Sequence, residues 1–518
     1  MTITTAKRPA RALLLTPLAL AALLLSAECR ADWKFVPTAG VTETYTDNVN
    51  LQPDDRAHGQ FVSEAMGGFS LSEHTARLQA AASARVHQFA YTNGELPNLN
   101  DRTYDYSAAA LSRLADDLFL DVYAAGGPQS ISAFGPQVSD NLYSMGNRTT
   151  VNSWRISPYV QHRYGNVVDM MLRYSRDGVD AGSGNPFGSS TASSGSLSFN
   201  SGTAFKTIGW GLSVNHQELQ NRLAGPSSSS NALANLRLRY SQRLSLTASG
   251  GYDEYDYQSL GGRTSGRNWT GGFIWTPSPR TSLQVSYGRR YFGKTGSLAA
   301  SHRSRHSVWS INYSDAITTT RQQFLLPSTI DTAALLDSLF SASIPDPVLR
   351  QQAVQAYLQS TGLPPSLAND VNYLSNRYLR QKQLQAAVAF NWAHSSLVTS
   401  VFKSERTALS LQQSDSELLG SQLATLNDNT RQRGVNSVFI YRLSSRTSAT
   451  ATANLSRVSS IDTGITQNHS QLRIGLTRRL DRRLNAAVDL RHVRGGSGAG
   501  TGRTYSENAL SASLSAQF

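Results

Sequence analysis

Tyr505–Phe518 reads YSENALSASLSAQF. Counting back from the carboxyl end, Phe518, Ala516, Leu514, Ala512 and Leu510 are apolar, and the residues between them, Gln517, Ser515, Ser513 and Ser511, are polar. A period of two describes a strand with one oily face and one wet face. The strand finishes on a free aromatic carboxylate. Soluble sheets seldom end flush on Phe, whereas an outer-membrane barrel closes on such a strand, with the terminal Phe a common part of its insertion signal. An edge strand of a soluble sandwich could carry the same alternation, so the rest of the chain has to decide.

The chain has 518 residues, 39% hydrophobic and 16% charged, with 39 glycines and a formal charge of +13. At this length a soluble protein would divide into two or three domains, and one large barrel is the alternative. No apolar run after the N-terminus is long enough for a spanning helix. Barrel strands expose apolar residues only at alternate positions, which keeps the mean hydropathy low, here −0.33. In a cytosolic protein the positive charge would suggest nucleic acid. After export the expected partners are outer-membrane lipid and lipopolysaccharide phosphate, together with polysaccharide and its export machinery, and no nucleic acid.

Export is expected from residues 1–31. Lys7, Arg8 and Arg11 precede the apolar run Ala12–Leu25, and Cys29-Arg30-Ala31 offers small residues where a signal peptidase reads, with cleavage before Asp32. The run is short for an anchor, and Glu28 stands where a lipoprotein signal needs a small residue. Cys29 is the only cysteine, so the exported chain has no disulfides and needs another closure, which a ring of backbone hydrogen bonds supplies.

From residue 32 onward, strands of about ten residues alternate with two sorts of connection. Tight ones include Tyr164-Gly165-Asn166, Pro277-Ser278-Pro279, His394-Ser395-Ser396 and Leu480-Asp481-Arg482. Long ones, rich in Gly, Ser, Asn or Pro, include 126–148, 177–194, 220–231, 258–267, 411–431 and 495–503. Short turns on one rim and long loops on the other are characteristic of a bacterial barrel. The strands keep period two: Leu236, Leu238 and Tyr240 alternate with Arg237 and Arg239, and Leu472, Ile474 and Leu476 alternate with Arg473, Gly475 and Thr477. Trp and Tyr cluster near strand ends, where a membrane interface would hold them.

Residues 325–376 break the pattern. Asp331–Phe340 reads as a helix, and Asp346-Pro347 starts a second that Gly362 and Pro364-Pro365 end. Keeping both chain ends on one rim requires an extra reversal, for which Asp315-Ala316-Ile317 is the natural place. The expectation is therefore an all-β antiparallel transmembrane barrel over residues 32–518, of about 22 strands (roughly 18–24), with a short helical insertion on the long-loop rim or dipping into the lumen.

Val41–Leu51 (VTETYTDNVNL), Asp315–Pro327 (DAITTTRQQFLLP) and the stretch from Ser343-Ile344-Pro345-Asp346-Pro347 to Gly362-Leu363-Pro364 resemble the PEP-CTERM system-associated outer-membrane proteins. That family consists of porin-like barrels encoded near exopolysaccharide and exosortase genes. The resemblance implies a role beside exopolysaccharide export or assembly. It implies no catalytic residues.

Candidate chemistry is sparse. The sequence has no HExxH, GxSxG or Walker motif and no paired cysteines, so no enzyme, cofactor or metal site is expected. His302 and His306 sit among Arg303 and Arg305, which would repel a metal, and Asp47, Asn48, Asp54 and Asp55 lack the spacing of a calcium loop. Tyr252, Tyr255 and Tyr257, interleaved with Asp253, Glu254 and Asp256, could stack on sugars or belong to an aromatic girdle. Arg155, Arg163, Arg173, Arg237, Arg239, Arg290 and Arg473 fall on the wet face. They would form a basic wall for acidic sugars, or a ladder paired with lumen carboxylates such as Asp121 and Asp489. A pore or accessory barrel for exopolysaccharide is the first reading, with an outer-membrane hydrolase or a scaffold barrel as alternatives. A TonB-dependent transporter would need a globular plug domain ahead of the first strand, and the stretch after the proposed cleavage site is too short for one.

Overall fold

The computed structural model describes residues 33–92, 99–137, 141–144, 146–181, 187–222, 225–257, 259–260, 264–325, 373–410, 426–496 and 504–518. The leader expected over residues 1–31 and most of the expected helical insertion lie outside these residues.

Among the described residues the alternating stretches form twenty-two strands. They are β1 (Lys34–Thr46), β2 (Gln60–His74), β3 (Leu78–Tyr91), β4 (Arg102–Arg113), β5 (Leu118–Ser130), β6 (Arg148–Tyr164), β7 (Val168–Asp180) and β8 (Ser189–Ser201). There follow β9 (Ile208–Asn221), β10 (Gly225–Arg239), β11 (Leu244–Asp256), β12 (Ser265–Ser278), β13 (Thr281–Arg290), β14 (Gly293–Arg303) and β15 (Ser307–Thr319). After a short helix, α1 (Thr320–Leu325), come β16 (Tyr378–Asn391), β17 (Ser395–Ala408), β18 (Thr430–Arg442), β19 (Thr447–Ser460), β20 (Thr466–Arg479), β21 (Leu484–Gly496) and β22 (Thr504–Gln517).

Each strand pairs antiparallel with the next, and β22 returns to β1 from Thr38↔Gln517 to Thr46↔Ala509. Phe518 adds a last backbone bond, its N–H donating to Pro37 O at 3.0 Å. The sheet therefore has no edge, and its ladder leaves no row of backbone groups for lipid to strand.

The ladder register fixes the faces. Leu510 and Leu514 stand opposite Tyr45 and Val41, whose partners in β2 are Phe61 and Ala65. Followed around the ring, this outward face carries Leu172, Leu212, Val214, Leu236, Ile474, Val488 and Leu490, all exposed. One aromatic ring borders it on the short-turn side, with Phe35, Phe69, Tyr164, Trp275, Trp309, Trp392 and Tyr441. Another borders it on the long-loop side, with Tyr45, Phe61, Tyr104, Tyr174, Tyr252, Trp269 and Tyr287. An apolar band between two aromatic rings is the surface a bilayer solvates, and this is a barrel of the outer-membrane type. Glu43 interrupts the band beside the second ring, where it accepts a 2.6 Å hydrogen bond from Ser63 Oγ.

Three local expectations change. The reversal expected at Asp315-Ala316-Ile317 does not occur: β15 runs through it, with Asp315 opposite Lys382 and Ile317 opposite Arg380. The extra turn lies instead between Arg290 and Gly293, where Gly293 takes φ +120°, a region closed to most side chains. The insertion still emerges on the long-loop rim because moving the turn preserves the parity. Residues 220–231, expected as a long loop, are mostly ladder, with Pro226 opposite Gln220 and Asn231 opposite Asn215. The long-loop rim thus also carries tight hairpins. Helix appears in α1, while residues 373–377 lead, mostly buried and without helix, into β16.

The Thr46-Asp47-Asn48 stretch is a latch across the seam between first and last strands. Thr46 Oγ1 donates to Glu507 at 2.9 Å, Asp47 accepts from the Asn508 backbone and side chain at 2.7 Å each, and Asn48 Nδ2 donates to Ser506 O at 2.9 Å. Asp54 accepts from Ser506 Oγ at 3.0 Å. These oxygens are committed to the fold. Among the described residues no group of three His, Cys, Asp or Glu side chains could hold a metal.

Candidate functional site at the outer mouth

Among the described residues, a dense group of fully buried side chains lies inside the barrel at its long-loop end. Asn48, Ala133, Phe134, Asn141, Tyr373 and Leu374 are fully enclosed, and they come from three different connections. Ala133, Phe134, Tyr373 and Leu426 pack with Val458 of β19. Val151 of β6 and Val179 of β7 pack with Phe187, Leu325 and Leu374. Each cluster is small, and polar contacts join them. Asn427 Oδ1 accepts from the Ala133 N–H at 3.1 Å, its Nδ2 donates to Ser132 Oγ at 2.9 Å, and its carbonyl accepts from Tyr373 OH at 3.0 Å. Leu374 N donates to Ile131 O at 3.3 Å. Loop backbone buried away from solvent must be satisfied by such partners.

Buried ion pairs tie this infolded layer to the wall, its connections to one another, and the wall strands beside it. Arg321, on α1, pairs with Asp177 of β7, both side chains about 5% exposed. Since α1 follows β15, eight strands away from β7, the contact spans the lumen. Ser153 Oγ on β6 also donates to Phe324 O, at 3.3 Å. Arg377 pairs with Asp428 at 2.9 Å, and Arg491 with Glu507 at 2.8 Å. Tyr143 joins the last pair, accepting from Arg491 at 3.2 Å. Burial, reinforced by the Glu507 carboxylate, pushes the Tyr143 phenol well above its usual range, so it stays a neutral hydrogen-bonding group. Paired charges of this kind contribute little net stability over an apolar replacement, but removing one partner strands the other.

The sequence-predicted arginines all face the lumen, in different states. Arg155 and Arg173 share Asp121, at 4.0 and 3.2 Å, and Arg173 lies over the Tyr159 ring at 4.2 Å. Arg163 bonds Asp169 at 2.7 Å, Arg473 bonds Asp489 at 3.0 Å, and Arg290 grips the fully buried Asp253 through two bonds of 2.7 and 2.9 Å. Arg237 and Arg239 are exposed at the short-turn end of β10 and make no ion pair among the described residues. The tyrosine trio divides. Tyr252 points outward into the aromatic ring, opposite Arg267. Tyr255 and Tyr257 turn inward to join Tyr291 and Tyr378, with Tyr257 stacked on Tyr378 at 4.7 Å and Tyr255 tilted on Tyr291 at 5.6 Å.

One feature of the lumen is absent from the sequence-based candidates: a neutral, hydroxyl- and amide-lined wall from β8 to β12. Its inward positions include Ser194, Ser196 and Ser198 on β8, Ser213 and Asn215 on β9, Asn231 and Asn235 on β10, Ser245, Thr247 and Ser249 on β11 and Thr270 on β12. Asn215 donates to Asn231 at 2.7 Å and Ser249 bonds Thr270 at 2.5 Å across neighbouring strands. The signal was present as Ser-x-Ser-x-Ser on the polar parity of Ser194–Ser198.

Neither a protein-family model nor a curated protein sequence matches the chain. Solved structures do. The FrpB iron transporter from Neisseria meningitidis (F5-1 variant) is 11% identical, with a TM-score of 0.49 over 93% of this chain and 82% of that one. The siderophore receptor PirA from Pseudomonas aeruginosa is 10% identical, with a TM-score of 0.44 over 93% of this chain and 80% of that one. The barrel assignment rests on this chain's own closed ladder.

Proposed function

We propose that this barrel serves the export or assembly of an acidic exopolysaccharide across the outer membrane, as a conduit closed at its outer mouth in the resting state. The hydroxyl-lined wall from β8 to β12 carries the reading. Serine, threonine and asparagine exchange hydrogen bonds with sugar hydroxyls at little cost in either direction, which suits a chain that must slide. Arg237 and Arg239, without carboxylate partners at the short-turn end of that wall, would meet uronate or phosphate groups first. Tyr255, Tyr257 and Tyr378 supply ring faces for sugars near the other end. The resemblance of Val41–Leu51 and Asp315–Pro327 to the PEP-CTERM system-associated barrels points the same way.

Planar-bilayer recording tests this. The wild type should conduct weakly, open when the mouth is destabilised, and then be blocked from the short-turn side by an acidic polysaccharide but not by a neutral glucan of equal length. Equal block by both polymers would remove the acidic-substrate reading. Silence of every variant, mouth-opening ones included, would make the barrel a scaffold.

A further inference from the structure

On the outward face of β17–β19 a three-strand row of cations stands at a level where other strands carry aromatics; a shorter outward pair of cations, Arg289↔Lys294, lies on β13 and β14. On β7, β11, β12 and β13 the positions just above the apolar band hold Tyr174, Tyr252, Trp269 and Tyr287. At the matching level on β17, β18 and β19 stand Lys403, Arg433 and Arg457, directly opposite one another in the ladder (Lys403↔Arg433, Arg433↔Arg457). All three are exposed, and none makes an ion pair among the described residues. The next outward row toward the loops, Lys382↔Glu405↔Arg431, adds two cations and one carboxylate, with Arg431 at 3.1 Å and Lys382 at 3.9 Å from Glu405.

Like charges directly opposite on a sheet repel, and cations facing acyl chains are costly, so such a row requires a counter-charge or a wet interface. Immediately below it, Val401, Val435 and Leu455 form an apolar row that is 50%, 37% and 54% exposed. A stripe of oily side chains under an unneutralised cationic row matches a molecule with phosphates at its head and acyl chains beneath. The guanidinium groups of Arg433 and Arg457 can each take a phosphate through two parallel hydrogen bonds, and Lys403 adds a point charge. The row lies on the long-loop side of the band, opposite the rim that holds both chain ends.

We propose that the β17–β19 face is a docking site for the phosphorylated headgroup of an outer-leaflet glycolipid of the lipid A type. The phosphates bridge Lys403, Arg433 and Arg457, and the acyl chains lie along Val401, Val435 and Leu455. Headgroup binding neutralises the repulsion along the row and fills the gap in the aromatic ring.

The test compares the full-length wild type with a Lys403→Gln, Arg433→Gln, Arg457→Gln variant, and with Arg478→Gln at the short-turn rim of β20 as control. Each is reconstituted with bisphosphorylated lipid A, dephosphorylated lipid A or phosphatidylglycerol, and retained lipid is counted by native mass spectrometry. Heat-modifiable gel migration confirms that every barrel is folded. The wild type and the Arg478→Gln control should keep bisphosphorylated lipid A through detergent exchange, and the triple variant should bind it roughly ten-fold more weakly. Inorganic phosphate at millimolar concentration should not displace it. Equal retention by the triple variant, or equal retention of dephosphorylated lipid A or phosphatidylglycerol by the wild type, overturns the proposal.

Discussion

Two parts of the same lumen wall treat polarity in opposite ways. From β2 to β7 the inward face carries paired charges among its small and neutral residues: Glu64, His87, Asp105 and Arg85 form one chain with contacts of 2.6, 3.2 and 3.1 Å, and Asp121 ties β5 to Arg155 and Arg173. From β8 to β12 the inward residues are mostly hydroxyls, amides and glycines, with Arg237 and Arg239 left unpaired near the short-turn end. A paired wall stiffens and holds the infolded mouth, since Asp177 of β7 anchors Arg321. A neutral wall offers exchangeable hydrogen bonds and no strong local minimum. Under the proposed function, the contrast separates residues that would hold the infolded mouth from residues that a passing chain would touch.

The largest effect should come from the anchor of the closed mouth. Arg321→Ala leaves Asp177 buried without its cation, a change that costs roughly 3–5 kcal/mol when a buried pair is broken. If this contact holds the mouth closed, the loss should appear as higher single-channel conductance and faster proteolysis of the chain after β15, with the barrel band on unboiled gels intact. Replacing both partners, Arg321→Met with Asp177→Leu, should restore low conductance. If Arg321→Ala stayed as closed as the wild type, α1 would not hold the mouth.

On the paired wall, Arg173→Gln removes the nearer cation from Asp121 and the stacking on Tyr159. The site is partly exposed, so a loss of about 1 kcal/mol is expected, read as a lower urea midpoint. Combining it with Asp121→Asn should recover part of that loss. Block by acidic polysaccharide should hardly change. The unpaired arginines should show the reverse. Arg237→Gln with Arg239→Gln should leave the unfolding midpoint within about 0.5 kcal/mol while weakening polysaccharide block roughly ten-fold, with a shallower salt dependence. A stability loss larger than that of Arg173→Gln would erase the distinction between the two walls.

The smallest effect belongs to the hydroxyls. Ser196→Ala with Ser198→Ala removes two exchangeable donors from β8 and should shift block by acidic polysaccharide only a few-fold, near 0.5–1 kcal/mol in total. Unchanged block after this substitution and after Tyr257→Ala would move the sugar path away from β8–β12.

Much of the barrel was legible from period two alone. Alternation in Tyr505–Phe518 or Leu472–Leu476 needs no partner to be read, because successive side chains on any strand point to opposite faces. The arginine parity was legible for the same reason, and all seven fall in the lumen. Asp121 and Asp489 were open to being named as partners by the same parity, but which arginine meets which carboxylate, and which meets none, was not legible. Arg155 and Arg173 both reach Asp121 only because β5, β6 and β7 stand in one particular register, which no single strand encodes. The missed turn at Arg290–Gly293 and the false one at Asp315–Ile317 share a cause. A strand that leaves its neighbour, as β15 leaves β14 after Ser314, looks locally like a turn, while a two-residue hairpin looks locally like a strand.

Fold class, two-faced strands and aromatic positions follow from neighbours one or two residues apart, and the sorting of most connections follows from their alternating lengths. Only the folded ring shows which arginines are neutralised, that Tyr252 parts company with Tyr255 and Tyr257, that Arg321 of α1 reaches Asp177 across the lumen, and that Lys403, Arg433 and Arg457 stand in one row. Each of these joins residues from different strands or loops. Their contacts exist only once the ring of backbone hydrogen bonds has fixed a single register around all twenty-two strands.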